Sequence, residues 1–115
     1  MIRSTRRDVV DEDHRDDLGY YSDPSLLVLA SVADGPKHGH VMIADIFEMS
    51  GTRLGPGTLY GAIARLEKQK LIAPLPAEER RHPYRITSQG KALLHAKLNT
   101  LHRFARIGLR RLEAL

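Results

Sequence analysis

Residues 54–75, LGPGTLYGAIARLEKQKLIAPL, decide the fold of this chain of 115 residues. The turn GPGT, residues 55–58, places Gly55 at a helix N-cap and Pro56 at the first helical position, where a missing N–H costs no hydrogen bond. Apolar residues then follow at helical spacing, and they are Leu59, Ile63 and Leu66. This spacing predicts an amphipathic helix with one buried stripe.

The opposite face of this helix carries hydroxyl, small and basic side chains. They are Thr58, Gly61, Arg65 and Lys68, with Tyr60 and Ala64 alongside. Small residues allow a close approach to a nucleic-acid groove, and hydroxyl and cationic tips bind phosphates and base edges. An ordinary solvated helix face is the alternative, and the helix by itself does not separate the two.

Composition favours a single soluble domain. Apolar residues make up 42% of the chain, which suffices for a modest core, and the absence of Cys excludes disulfides, a thiolate nucleophile and cysteine-based zinc sites. No apolar run approaches the ~20 residues that span a bilayer, and no apolar segment follows the N-terminal arginines. We therefore expect no membrane partner, no signal peptide and a cytoplasmic location.

Charge is unevenly distributed along the chain. The formal net charge is +4, yet residues 1–23 carry a net charge of −3 and residues 24–115 a net charge of +7. A basic body predicts a polyanionic partner, although a mild excess charge that keeps a protein soluble is the alternative. Residues 1–22 are too densely charged to be buried, and we expect them to form a mobile arm.

Two helices are predicted before the central one. Asp23 and Pro24 form a helix start, and the nearly all-apolar run at residues 25–33 predicts a buried helix. A second helix is predicted at residues 40–49 and stops at Gly51. Helix, helix, short turn and helix is the order of a helix-turn-helix unit, in which the last helix is the recognition helix.

Two short runs after the recognition helix predict a β-hairpin. Residues 71–75 (LIAPL) and 83–87 (PYRIT) read as antiparallel strands, and prolines confine the first to a sheet edge. Such a hairpin is a wing, and the basic residues at its tip are Arg80, Arg81 and His82. Basic tips reach the adjacent backbone or minor groove. The alternative is a solvated loop whose arginines are offset by two neighbouring glutamates.

The last predicted helix, residues 88–115, is capped by Thr87 and would be ~40 Å long. Its apolar residues alternate steps of four and three, which is a heptad seam. The seam consists of Leu94, Leu98, Leu101, Ala105, Gly108, Leu112 and Leu115. A seam of this length predicts a homodimer, and the alternative is a helix that folds back over its own body.

Three strings of the sequence resemble the PadR-like transcriptional regulators. They are GPKHGHVM, PGTLYGAIARLEKQKLI and PYRITSQGKALL. The resemblance implies a winged-helix homodimer that binds operator DNA, usually as a repressor. Because some members release DNA on binding a small aromatic or drug-like ligand, it also implies a small-molecule effector.

The family's recognition helix corresponds to residues 56–70 and its wing to residues 77–84. The residues that match its DNA-facing motif are Gly57, Thr58 and Tyr60. Two departures stand out. His40 occupies a position that is usually aromatic, and the chain has no Trp, so an effector site of stacked indoles is not available.

Other functional classes have little support in the sequence. No nucleophile–base pair, cofactor loop or metal cluster is visible, and the six His are scattered. We therefore expect no enzyme, no cofactor and no metal. The main alternative is a winged helix that serves as a protein–protein adaptor.

The prediction for the whole chain is a mainly α fold with a small β-hairpin wing. It divides into an arm (1–22), a winged helix-turn-helix domain (23–87) and a long dimerisation helix (88–115). The predicted function is sequence-specific regulation of a palindromic operator in double-stranded DNA. The DNA-binding residues would be Gly57, Thr58, Tyr60, Arg65, Lys68, Arg80, Arg81 and His82.

Overall fold

Four helices and a two-stranded hairpin form the described part of the chain, residues 23–77 and 82–114 of a computed structural model. In order they are α1 (Pro24–Ser31), α2 (Gly39–Ser50), α3 (Pro56–Lys68), β1 (Ile72–Pro74), β2 (Tyr84–Ile86) and α4 (Ser88–Glu113). The predicted mainly helical fold with a hairpin and a long C-terminal helix is confirmed. The predicted arm, Arg80 and Arg81 of the wing tip, and Leu115 of the seam lie outside the described residues.

Helix α1 forms the centre of the core. The Asp23 carboxylate accepts hydrogen bonds from the backbone N–H groups of Ser25 (3.1 Å) and Leu26 (3.3 Å), which satisfies two donors that the first turn leaves unpaired. The helix ends two residues earlier than predicted. Its last turn tightens because the Ala33 N–H donates to the carbonyl of Ala30, three residues back.

Helices α2 and α3 pack against α1 through apolar stripes. Helix α3 begins at Pro56 with Gly55 as its N-cap, as predicted. The buried stripe of α3 comprises Leu59, Ala62, Ile63 and Leu66. Because this stripe faces inward along the whole helix, the opposite face of α3 is turned to solvent.

The turn after α3 is a Schellman motif without a glycine. The Leu71 N–H donates to the Leu66 carbonyl (2.9 Å) and the Lys70 N–H to the Glu67 carbonyl (3.0 Å). Lys70 takes the left-handed conformation, with φ 64°. This turn directs the chain out of α3 and into β1.

The hairpin pairs β1 with β2 in antiparallel register, from Ile72 opposite Ile86 to Pro74 opposite Tyr84. The ladder is shorter than predicted, but single hydrogen bonds continue beyond it, including Leu75 N–H to the Pro83 carbonyl. On the other side of β2, Tyr84 exchanges backbone hydrogen bonds of 2.9 and 3.1 Å with Lys37. The wing is thereby tied to the segment that precedes α2.

Helix α4 is held against the hairpin at its start. The Thr87 hydroxyl accepts from the Gly90 N–H (3.0 Å) and donates to the Lys70 carbonyl (2.8 Å). A Cβ at Gly90 would stand 2.2 Å from the Leu71 carbonyl oxygen, so only glycine permits this approach. The first turn of α4 is thus locked to the end of α3.

The prediction for the first residue of the heptad seam was wrong. Leu94 was predicted to face a second chain, but it is 6% exposed and lies in the core of its own chain. Leu101 also packs partly against this core. The reason is the close approach at Gly90, which brings the following turn of α4 onto the core. Later apolar residues of α4 are exposed, namely Leu98, Phe104, Leu109 and Leu112.

Candidate nucleic-acid interface

The outer face of α3 is exposed along its length. The predicted contact residues on it are Gly57, Thr58, Tyr60, Arg65 and Lys68, and all five are exposed. Within the described ranges, the side chains of Arg65 and Lys68 make no hydrogen bond or ion pair. The two cations of this face are exposed to solvent.

The position of the two cations follows from the helix itself. Arg65 and Lys68 lie in the last turn of α3, where the helix dipole favours positive charge. The Arg65 guanidinium extends over Gly61, where a Cβ would stand 3.7 Å from Nη1. The small residue thus gives the long side chain room to lie along the helix.

Tyr60 has a contact that the sequence analysis did not identify. Tyr60 is 48% exposed, and the outer part of its ring lies close to Gly39 at the start of α2. A Cβ at Gly39 would stand 2.6–2.8 Å from the phenol oxygen and two ring carbons. The only sequence signal for this contact is the glycine of the string KHGH, which neither ends a helix nor forms a turn.

The base of the hairpin lies close to α3. The His82 ring meets Tyr84 edge-on, with 5.3 Å between the ring centroids. Burial raises the pKa of the Tyr84 phenol, and the nearby Glu67 carboxylate and Tyr60 phenol raise it further. Tyr84 therefore stays neutral at physiological pH and joins β2 to α3 as an uncharged group.

Lys37 is a structural cation and not part of the exposed face. Its ammonium donates to the Ser31 carbonyl and the Asp34 carboxylate and lies 4.0 Å from Asp45. Ser31, itself buried, donates to Asp45 over 2.6 Å. The Lys37 hydrogen bond and charge lower the pKa of Asp34. This network fixes the connection between α1 and α2.

Residues 23–77 and 82–114 show neither a metal site nor a membrane-spanning helix. No group of three or more His, Asp or Glu side chains is arranged to hold a metal ion there. None of the helices in these ranges has the length and hydropathy to cross a membrane.

Sequence comparison identifies relatives of this chain. A family model described as the transcriptional regulator PadR-like family matches residues 28–96. An uncharacterized 37.1 kDa protein in transposon TN4556 of Streptomyces fradiae is 44% identical over 84 residues. That match covers 73% of this chain but 24% of the relative, so this chain spans less than a quarter of the relative's length.

Solved structures share the fold. A PadR family transcriptional regulator from Eggerthella lenta superposes with a TM-score of 0.74 at 23% identity, over 97% of this chain and all of the other. A PadR family regulator from Clostridium difficile gives 0.69 at 24% identity, over 82% of this chain and 99% of the other. The family model covers more than half of the sequence, and the chain belongs to the PadR-like family of transcriptional regulators.

Proposed function

We propose that this PadR-like chain binds double-stranded DNA as a symmetric homodimer and represses transcription at a palindromic operator. The observation that carries the proposal is the outer face of α3. It combines exposed Thr58 with two exposed cations, Arg65 and Lys68, on a helix whose other face is buried. Membership of the family and the net charge of +7 on residues 24–115 support the same partner.

In this proposal each protomer inserts α3 into a major groove. Gly57 lets the backbone at the start of the helix approach the duplex, where its free N–H groups bind phosphate. Thr58, Tyr60 and Arg65 contact phosphates or base edges. Lys68 binds phosphate as a point charge. The wing residues Arg80, Arg81 and His82 bind the flanking backbone or minor groove.

The exposed apolar side chains of α4 support the homodimer. Leu98, Phe104, Leu109 and Leu112 are 44–74% exposed, and a row of exposed apolar side chains of this kind marks an interaction surface. Helix α4 has 26 residues and is therefore ~39 Å long. Pairing of two such helices would place two copies of α3 on one duplex, with half-sites ~34 Å apart.

The resemblance to the family also supports release from DNA by a small hydrophobic or aromatic effector. A surface concavity of about 350 Å³, lined by Val32, Ile86, Arg85 and Lys91 among others, has a volume within the range of ligand sites. Thermal-shift screening with phenolic and hydrophobic cationic compounds tests this part of the proposal. A compound that raises the melting midpoint should also release the protein from its operator.

The DNA-binding test uses the parent protein and selects duplexes from a random pool, followed by fluorescence anisotropy at several salt concentrations. We expect a palindromic selected sequence and an affinity that falls steeply with salt. Arg65→Ala should weaken binding about tenfold and reduce the slope of log K against log salt by about 1, because one phosphate or base contact is lost. If the selection yields no preferred sequence, the result would instead favour a protein–protein adaptor.

The matched control is Arg106→Ala, which removes an exposed arginine from α4, away from the proposed DNA surface. It should bind the selected duplex like the parent. An equal loss of affinity in both variants would show that general charge, and not the face of α3, accounts for binding.

A further inference from the structure

Gly39, the first residue of α2, lies beneath the side chain of Tyr60. A Cβ at Gly39 would stand 2.6 Å from Oη, 2.7 Å from Cε1 and 2.8 Å from Cζ of Tyr60. Contacts below 3.0 Å are essentially absent around real Cβ atoms. Any larger residue at this position must therefore displace either the ring of Tyr60 or the start of α2.

Space, and not backbone conformation, accounts for the glycine. Gly39 is a helical residue, and its φ does not fall in the left-handed region that favours glycine. Glycine within a helix is also less stable than alanine. The closely packed ring of Tyr60 is thus the feature of the fold that requires glycine here.

The backbone around Gly39 has little freedom to move away. Two residues earlier, Lys37 exchanges two backbone hydrogen bonds with Tyr84, and its ammonium binds the Ser31 carbonyl and Asp34. Tyr60, in contrast, is half exposed, and its ring turns about two side-chain torsions. A Cβ at position 39 would therefore push the ring outward, onto the exposed face of α3.

We propose that Gly39 is a positioning residue for DNA binding. Because it lacks a Cβ, the Tyr60 ring can lie against α2, and the face with Thr58 and Arg65 can then enter the groove. This inference rests on the proposed function. It implies that Gly39→Ala disturbs DNA binding far more than folding, because the displaced group is a mobile ring on the DNA-facing side.

A double-mutant cycle tests the inference. Gly39→Ala should weaken operator binding about tenfold, with a melting midpoint within about 5 °C of the parent. Tyr60→Leu lacks Oη, Cε1 and Cζ, so adding Gly39→Ala to it should change affinity by less than about twofold. Tyr60→Phe keeps Cε1 and Cζ, and in that background Gly39→Ala should still cost about tenfold.

Several results would overturn the inference. One is an equal loss of affinity from Gly39→Ala in the parent and in the Tyr60→Leu variant. Another is full affinity in the single variant, or a fall of the melting midpoint by more than about 5 °C, which would make the role structural. Failure of Gly39→Ala to fold would likewise make the role structural, and failure of the double variant with Tyr60→Leu to fold would also refute the steric account.

The parent protein separates this inference from the proposal on which it depends. If the parent does not select or bind any duplex, the proposed DNA-binding function is wrong, and the inference falls with it. If the parent binds and the cycle shows no coupling, the proposed function stands and only the role of Gly39 is refuted.

Discussion

The two halves of α4, residues 88–100 and 101–113, have the same apolar spacing but different surroundings. In the first half, Gly90 and Leu94 are buried against the protein's own core. In the second half, Leu109 and Leu112 are 62% and 67% exposed. A heptad pattern therefore predicts a stripe on a helix, while the tertiary fold decides which partner covers each part of it.

The boundary between the halves has a physical origin. Thr87 and Gly90 fix the first turn of α4 to the end of α3, so the next turn lies on the core. A straight helix then leaves a small domain within a few turns, because its length of ~39 Å exceeds what the three short helices can cover. Leu101, partly packed against the core, marks the transition.

The largest expected effect belongs to the exposed half. Leu112→Asp places a charge in the proposed dimer interface and should convert the dimer to a monomer. Operator binding should then weaken about 100-fold, because a monomer contacts one half-site and loses the avidity of two linked subunits. Sedimentation velocity and anisotropy measure the two effects. A variant that stays dimeric would contradict the proposed seam. Lys91→Ala, at an exposed position of the anchored half, is the matched control and should remain dimeric.

The same contrast shows what the sequence could predict. Local signals determined the elements: the Asp23 cap, the Gly55-Pro56 start of α3 and the Thr87 cap of α4 are confirmed. These signals depend on neighbouring residues in the chain, and a single sequence displays them directly. The order of the helices and the hairpin followed from them.

Contacts between distant residues were not predicted. The burial of Leu94 and the contact of Tyr60 with Gly39 depend on how helices pack, which periodicity does not reveal. The Schellman turn was also missed, because Lys70 occupies a position where glycine is usual. The DNA-contact roles of Thr58 and Arg65 remain predictions that binding experiments must test.

A second comparison uses one glycine from each half of α4. Gly90→Ala should destabilise the protein by about 3 kcal/mol, because its Cβ would overlap a backbone oxygen. Gly108→Ala meets no atom of the described residues within 4 Å apart from its chain neighbours and the adjacent helix backbone, and it should stabilise the isolated helix by up to ~1 kcal/mol. Urea denaturation at fixed protein concentration measures both. Equal effects of the two substitutions would show that the first turn of α4 is not anchored.

The smallest expected effect concerns the hydroxyl that anchors α4. Thr87→Ala removes the acceptor for the Gly90 N–H and the donor to the Lys70 carbonyl, and should cost about 1–2 kcal/mol. Thr87→Ser keeps both hydrogen bonds and should stay within about 0.5 kcal/mol of the parent. Since the anchor lies within one protomer, Thr87→Ala should lower stability in urea without changing the dimer dissociation constant. A variant that dissociates more readily would mean that the first turn of α4 also sets the geometry of the exposed half, and the two halves would then not be independent.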